Sequence, residues 1–318
     1  MKIGKYMAVK SNDTEAKKKR PSKLVELFVR LVREKPMGTA GAIITVVLLL
    51  IGIFANYLAP YGVNDVHSTS ALLAPSFKFL MGTDNLGRDV LSRVIFGARI
   101  SVIVGLTATL IATSLSSLIG ILSAYSGGTV DLIVQRFVDA VMCIPALIIL
   151  MLVISIIGTG MWQVIICLGI IDGIAGTRMI RSLVINIKED MYIQSATAIG
   201  APTRHIIFQH ILPNIWSGII IIFSTTVPSV ILAEAGLSFL GFGIPPPAPS
   251  WGGMLGGSAQ RYMYQAPWMA FWPGFALALM VFGVSMFGDA LRDLLDPRLR
   301  GSVGRYGSKN IPKVLTHD

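Results

Sequence analysis

Asp172 and Glu234 are acids set in long apolar runs of this chain. A charge in hydrocarbon is costly, so each is a functional hypothesis by default. Asp172 lies near the middle of its run. It could contact a cationic group on a solute or pair with a polar residue of a partner, and an ordinary helix–helix hydrogen bond is the alternative. Glu234, like Asp139, lies nearer the end of a run, where hydration makes a charge cheaper. Asp172 and Glu234 are therefore the possible residues of a translocation path.

Catalytic chemistry has no comparable foothold. The chain contains no G-x-x-x-x-G-K-[ST] phosphate loop, no H-E-x-x-H and no G-x-S-x-G. His67, His205, His210 and His317 form no metal-ligand cluster by spacing. Cys143 and Cys167 both fall in apolar runs and make neither a disulfide framework nor a zinc site. The expectation is a chain that is not an enzyme, with no catalytic residue, no metal and no cofactor of its own.

A second feature is a polar, small-residue island between two apolar runs, Gln194-Ser195-Ala196-Thr197-Ala198-Ile199-Gly200-Ala201-Pro202, followed by His210-Ile211-Leu212-Pro213. Residues from about Lys188 to Ile199 read as a short helix. Gly200 suits the left-handed position past a helix end, and Pro202 suits the first turn of a following helix. Small side chains at Ser195, Ala196 and Ala198 would let another surface approach the backbone. Ile206, Ile207 and Ile211 would anchor the second helix.

The elements that must position these residues are membrane spans. Of 318 residues, 53% are hydrophobic and 14% are charged, with a mean hydropathy of +0.68. Soluble domains carry about 25% charged residues, so lipid is the solvent for much of the chain. Six apolar stretches reach the ~20 residues needed to cross ~30 Å of hydrocarbon. They lie near 38–58, 100–124, 137–158, 161–180, 213–235 and 267–288, which predicts an all-α membrane protein.

Basic residues are retained on the cytoplasmic side. Of the 27 Lys and Arg, only Lys78, Arg88, Arg93, Arg99 and Arg261 fall on one side of this six-span arrangement; the other 22 share the side of the termini. Both termini and the 184–212 segment are therefore expected in the cytoplasm. Arg178 and Arg181 read as topology residues at the cytoplasmic edge. The net charge of +10 is explained by this placement and by lipid contact at Lys17-Lys18-Lys19-Arg20, with no nucleic-acid partner.

The island closely resembles the EAA loop of importer-type ABC-transporter permeases. A glycine stands six residues after Gln194 and a proline thirteen after Gly200, as that pattern has it. Gln194 departs from the usual glutamate. Three more segments are similar to the dipeptide, oligopeptide and nickel branch of those permeases: Gly82 to Arg93, Glu234 to Gly243 with Trp251-Gly252, and Gly288 to Arg298. In the first, Thr83 or Asp84 could cap a helix, and Asp89 with Arg93 has the i,i+4 spacing of a helical ion pair.

The resemblance implies a type I importer permease with six transmembrane helices and a cytoplasmic helical coupling loop. The implied organisation is a basic tail at 1–36, a first helix and extracytoplasmic loop at 37–99, a permease core at 100–290 with the loop near 184–212, and a cytoplasmic tail at 291–318. Gln194, Ser195, Ala196, Gly200, Ala201, Pro202, Leu212 and Pro213 would grip an ATPase. Implied partners are a homologous permease as heterodimer, two ABC ATPase subunits that bind the ATP, an extracytoplasmic substrate-binding protein and membrane lipid. The place would be the inner membrane of a prokaryote. Cargo would be di- or oligopeptides, with a nickel chelate or an oligosaccharide as alternatives within the family, and an ion-coupled secondary transporter outside it.

Overall fold

A computed structural model of the protein describes residues 23–295; Lys17–Arg20 and everything after Leu295 lie outside them. Apart from one isolated bridge between Thr83 and Asp89, regular structure among the described residues is helical. α1 (Lys23–Glu34) and α2 (Pro36–Ile53) are followed by a single turn, α3 (Ala55–Leu58), and a long connection. α4 (Val90–Ser126), α5 (Gly128–Met142), α6 (Ala146–Ile157) and α7 (Met161–Lys188) come next. The island contains α8 (Met191–Ala198) and α9 (Thr203–His205), and α10 (Leu212–Phe239) leaves it. Two short pieces, α11 (Trp251–Leu255) and α12 (Ser258–Arg261), precede α13 (Trp268–Leu295).

Five helical stretches are long and apolar enough to cross a membrane: 36–53, 90–126, 161–188, 203–239 and 268–295. The expected third span, 137–158, is a broken one. α5 and α6 meet at a bend of 85° around Cys143-Ile144-Pro145. Pro145 has no N–H to give a helix, and it disfavours helical backbone at Ile144 before it. Six spans are present only if this bent pair counts as one. Residues 23–34, expected within a polar tail, form α1, which tucks Leu31 against Ala290 and Leu294 of α13.

The first span, expected at 38–58, stops at Ile53, with the separate turn α3 after it, whereas the second, fourth, fifth and sixth run further than hydropathy alone suggests. α4 begins at Val90 rather than near 100, because Asp89 caps it: its Oδ2 accepts from the Ser92 amide at 2.8 Å and the Ser92 hydroxyl at 2.7 Å. Thr83 and Asp84 are not helix caps; they build the turn before it. At 37 residues and ~1.5 Å per residue, α4 is about 55 Å long, far beyond the ~30 Å it must cross.

α4 and α7 run in the same direction and approach each other along small residues. A Cβ on Gly169 would stand 2.6 Å from Ile111, one on Gly173 would stand 2.9 Å from Leu115, and one on Gly120 would stand 2.8 Å from Ile180. Close backbone approach at small residues is how helices associate where lipid removes the hydrophobic drive between them. α10 packs across this pair, α13 packs on α10, and α2 packs on α13 and on the start of α4.

The seam makes a direct prediction. Gly173→Leu is expected to destabilise the protein by about 1–3 kcal/mol through overpacking, seen as a lower unfolding temperature in detergent. Gly236→Ala is the control: a Cβ there meets nothing nearer than Leu147 at 4.0 Å, so it should leave the transition in place. Equal behaviour of the two variants would refute the tight seam.

Candidate functional site

The island is held by a buried isoleucine knot and displays an open face. α8 starts at Met191, with Asp190 as its N-cap residue, rather than near Lys188. Ile193 turns inward and is 2% exposed; it packs with Ile206, Ile207, Ile211 and Ile215 against Ile121, Ile180 and Val184 of the membrane helices. The three expected anchors, Ile206, Ile207 and Ile211, are all in this cluster.

The outer stripe of α8 is Met191, Gln194, Ser195, Ala198 and Ile199, with Met191 at 82% and Ile199 at 85% exposure. Ser195 and Thr197 donate to the carbonyls of Met191 and Ile193 in the preceding turn, so neither hydroxyl stands out from the surface. Gln194 donates to the Glu189 carbonyl at 3.0 Å. The stripe is small and apolar, and exposed apolar patches mark interaction surfaces.

The turn after α8 is set by Gly200, whose φ is +78°. The Ala201 amide donates to the Ala196 carbonyl at 3.1 Å and the Gly200 amide to the Thr197 carbonyl at 3.0 Å. These two bonds form a Schellman motif and satisfy the last carbonyls of the helix. Pro202 does not occupy the first turn of the next helix. Its backbone is extended (φ −65°, ψ 144°), and its carbonyl accepts from His205 and Ile206 as the cap residue.

Residues Ile206–Ile211 wind as a π-helix. The Leu212 amide reaches back five residues to the Ile207 carbonyl, and Pro213 next to it brings no amide at all, which disfavours the ordinary i→i−4 ladder here. The wider turn sets His205 and His210 with ring centroids 5.4 Å apart. Asn214 donates to the Tyr192 hydroxyl at 3.0 Å and to the His210 carbonyl at 2.6 Å, which ties α8 to the start of α10. Burial, helped by the charge of Asp190, raises the Tyr192 hydroxyl above the usual phenol range, so it stays protonated and available as a hydrogen-bonding partner.

A polar clamp ties the end of α7, from which the loop departs, to α4 and α5. Arg181 of α7 grips Asp131 of α5 with both arms, at 2.8 Å and 2.5 Å, and Ser123 of α4 donates to the same carboxylate at 2.6 Å. Arg178 pairs with Asp139. Lys188 donates to the carbonyls of Tyr125 at 2.7 Å and Ala124 at 3.3 Å at the end of α4. Arg178 and Arg181 are thus structural partners of α5 in addition to any part in orientation.

The two intramembrane acids differ. Asp172 on α7 is half-buried, and among the described residues no hydrogen-bond or ion-pair partner reaches its carboxylate. The helix–helix hydrogen bond considered from sequence is not made among the described residues. Glu234 on α10 is fully buried; it accepts from Ser238 at 2.7 Å, and its second oxygen has no close partner. Around it α11 is wedged into the bundle: Trp251 is fully buried and donates to the Val94 carbonyl at 3.0 Å.

Sequence comparison decides the family. The binding-protein-dependent transport system inner membrane component family matches residues 116–301, and the N-terminal TM domain of oligopeptide transport permease C matches residues 24–75. The chain belongs to the family of binding-protein-dependent transport system inner membrane components. Similar proteins include the oligopeptide transport system permease protein OppC of Bacillus subtilis, 33% identical over 293 residues, 92% of this chain and 96% of that protein. The dipeptide transport system permease protein DppC of Alkalihalophilus pseudofirmus is 35% identical over 86% of this chain and 90% of its own length. The glutathione transport system permease protein GsiD of Escherichia coli is 36% identical over the same shares.

In this inner membrane component, Gln194, Ser195, Gly200 and Pro202 come together on one exposed turn, while Ala196 and Ala201, expected to face a partner, are half-buried against the isoleucine knot. Leu212 and Pro213 lie beyond the π-helix at the foot of α10. Asp172 and Glu234 sit on different helices and share no contact. Sequence reasoning missed the Tyr192–Asn214 tie, the His205–His210 pair and the Asp131–Arg181 clamp. The histidine spacing of five residues is a signal only once a π turn is known to be present.

Gly200 provides a sharp test of the turn. A Cβ there meets nothing within 4 Å, so the only obstacle to a side chain is the left-handed backbone. Gly200→Val is expected to cost about 1–2 kcal/mol, whereas Gly200→Asn, which tolerates that conformation, should cost less. Hydrogen exchange of the Gly200 and Ala201 amides measures this. Equal protection in both variants would remove the turn assignment.

Proposed function

We propose that this chain is one of two permease subunits of an ATP-driven importer for di- or oligopeptides. The observation that carries the reading is the exposed stripe of α8, anchored by an isoleucine knot on the end of α7, which is itself clamped to α4 and α5. An ATPase seated on Met191, Ser195, Ala198, Ile199 and Gly200 would meet apolar surface and bare backbone, and any displacement would pass to three membrane helices at once. The charge distribution favours both termini and this loop in the cytoplasm, where ATPase subunits and ATP reside. A homologous permease would complete the translocation path, and an extracytoplasmic binding protein would deliver the cargo. The peptide assignment is supported by the names of the relatives, which concern oligopeptides, dipeptides and glutathione.

The test is reconstitution of the chain in liposomes with its partner permease, ATPases and binding protein. ATP-dependent uptake of labelled di- and tripeptides is expected, and uptake of a nickel chelate or an oligosaccharide in their place would reject the peptide reading. In the same system Gly200→Val should lower uptake several-fold at unchanged ATPase activity or fail to retain the ATPase. Normal transport with normal complex recovery would argue against coupling through this turn.

Asp172 adds a prediction about cargo. Among the described residues its carboxylate has no partner, which leaves it available to meet cargo or the second permease. Asp172→Asn keeps the size and removes the charge, so it should reduce uptake of lysine-containing peptides more than that of neutral ones. Equal uptake of both classes by variant and parent would exclude a path role.

A further inference from the structure

Arg93 sits at the end of the bundle opposite to the island, in the first turn of α4, and is only 7% exposed. Few of its donors are used. One arm donates to the Val63 carbonyl at 3.2 Å, while Nε stands 3.8 Å from Asp84 Oδ2, beyond hydrogen-bonding reach. Asp84 is already taken: Oδ1 accepts the Leu86 and Arg88 amides at 2.8 and 2.9 Å, and Oδ2 accepts Arg88 Nε at 2.6 Å. Asp89, one turn away on the same helix, spends Oδ2 on Ser92, while its buried Oδ1 makes no hydrogen bond. The expected Asp89–Arg93 ion pair is not formed.

This guanidinium, whose nearest paired carboxylate, Asp84, is shared with Arg88, lines two adjoining cavities of about 200 and 260 Å³, which share Arg93, Pro246, Gly253, Met254, Gly256 and Gly257; Asp84 and Arg88 also line the first. Three of the six shared residues are glycines, so a ligand in the trough meets backbone with little side chain in the way. The lining of the first cavity sets two guanidinium groups, Arg88 and Arg93, against one carboxylate, Asp84, which Arg88 already holds, so the excess charge facing a solute is positive. A planar anion would match the fork of donors.

We propose that this trough is a subsite for a carboxylate, the free C-terminal group of a peptide cargo. The proposal rests on the peptide reading above and adds a place on this chain that distinguishes one end of the cargo from the other.

The test uses the assembled transporter in liposomes, with triglycine and its C-terminal amide as probes. Loss of a charge-assisted hydrogen bond costs about 1.5–3 kcal/mol. Arg93→Gln is therefore expected to lower triglycine uptake at least tenfold below saturation, with less than a twofold change for the amide, each relative to the parent. Arg93→Lys should recover part of the loss. An equal fall for both probes, or no fall for either, would overturn the subsite and leave Arg93 a purely structural residue or an idle one.

A second measurement needs no transport of the amide. Phenylglyoxal modification of Arg93, read by mass spectrometry on the parent complex, should be slowed by millimolar triglycine and not by the amide. Equal labelling with and without triglycine, or protection by inorganic phosphate alone, would overturn the proposal. A parent complex that carries neither peptide but carries another solute would defeat the peptide reading instead, and protection by triglycine would still decide whether the trough takes a carboxylate.

Discussion

The close approach of α4 and α7 is the constraint that the rest of this structure depends on. Without water, two helices in lipid gain little from burying apolar side chains and must gain from backbone proximity and packing. Gly169, Gly173 and Gly120 give that proximity, and nothing larger fits. The parallel pair extends from the Asp84–Arg93 turn at one end to Lys188 at the other. Every functional feature described above hangs from it: Arg93 begins α4, Asp172 is adjacent to Gly173 on α7, and the island starts where α7 stops.

Irregular backbone is expensive at membrane depth unless the protein itself satisfies it. The stretch between α10 and α13 meets that condition. The Phe242 amide returns to the Leu237 carbonyl at 2.9 Å, Ser250 caps α11 through the Gly253 amide, and the Trp251 indole binds the Val94 carbonyl. Gly252 lets α11 sit so close to α10 that a Cβ would stand 2.2 Å from the Ala235 carbonyl oxygen. A helix of five residues is thus locked between α4, α10 and α13 and forms one wall of the Arg93 trough.

Apolar length was readable in the sequence, and the described spans follow it except where a polar cap or a proline intervenes. Asp89 extended α4 by ten residues, which hydropathy cannot register because the first turns carry Arg93 and Arg99. Pro145 broke the third span, and its signal was present but outweighed by the apolar residues around it. The island was legible for a different reason: Gly200 has one backbone role, and its spacing to Pro213 is rigid. What no spacing rule could supply were contacts between distant segments, such as Arg181 with Asp131 or Trp251 with Val94, because they depend on which helix faces which. The i,i+4 rule failed at Asp89–Arg93 because Asp89 turns to cap the helix through Ser92 and the Arg93 guanidinium turns to Val63 and Asp84.

The rigidity of the seam also limits how the island could move the rest of the chain. A displacement of α8 passes through the Ile193, Ile206 and Ile211 knot and the Lys188 and Arg181 contacts into α4, α5 and α7 together. Sliding α4 along α7 would drive Leu115 and Ile111 over the glycines that receive them, so the pair responds as one body. The chain breaks its helices at Cys143–Pro145 and again between Leu240 and Ser250, and these are the joints where strain can be absorbed by φ and ψ changes. The second joint borders the trough that Arg93 lines. A rocking motion begun at the island would meet the first joint through α5, and through the α4–α7 pair it would reach the joint beside the trough without any element between them having to unfold.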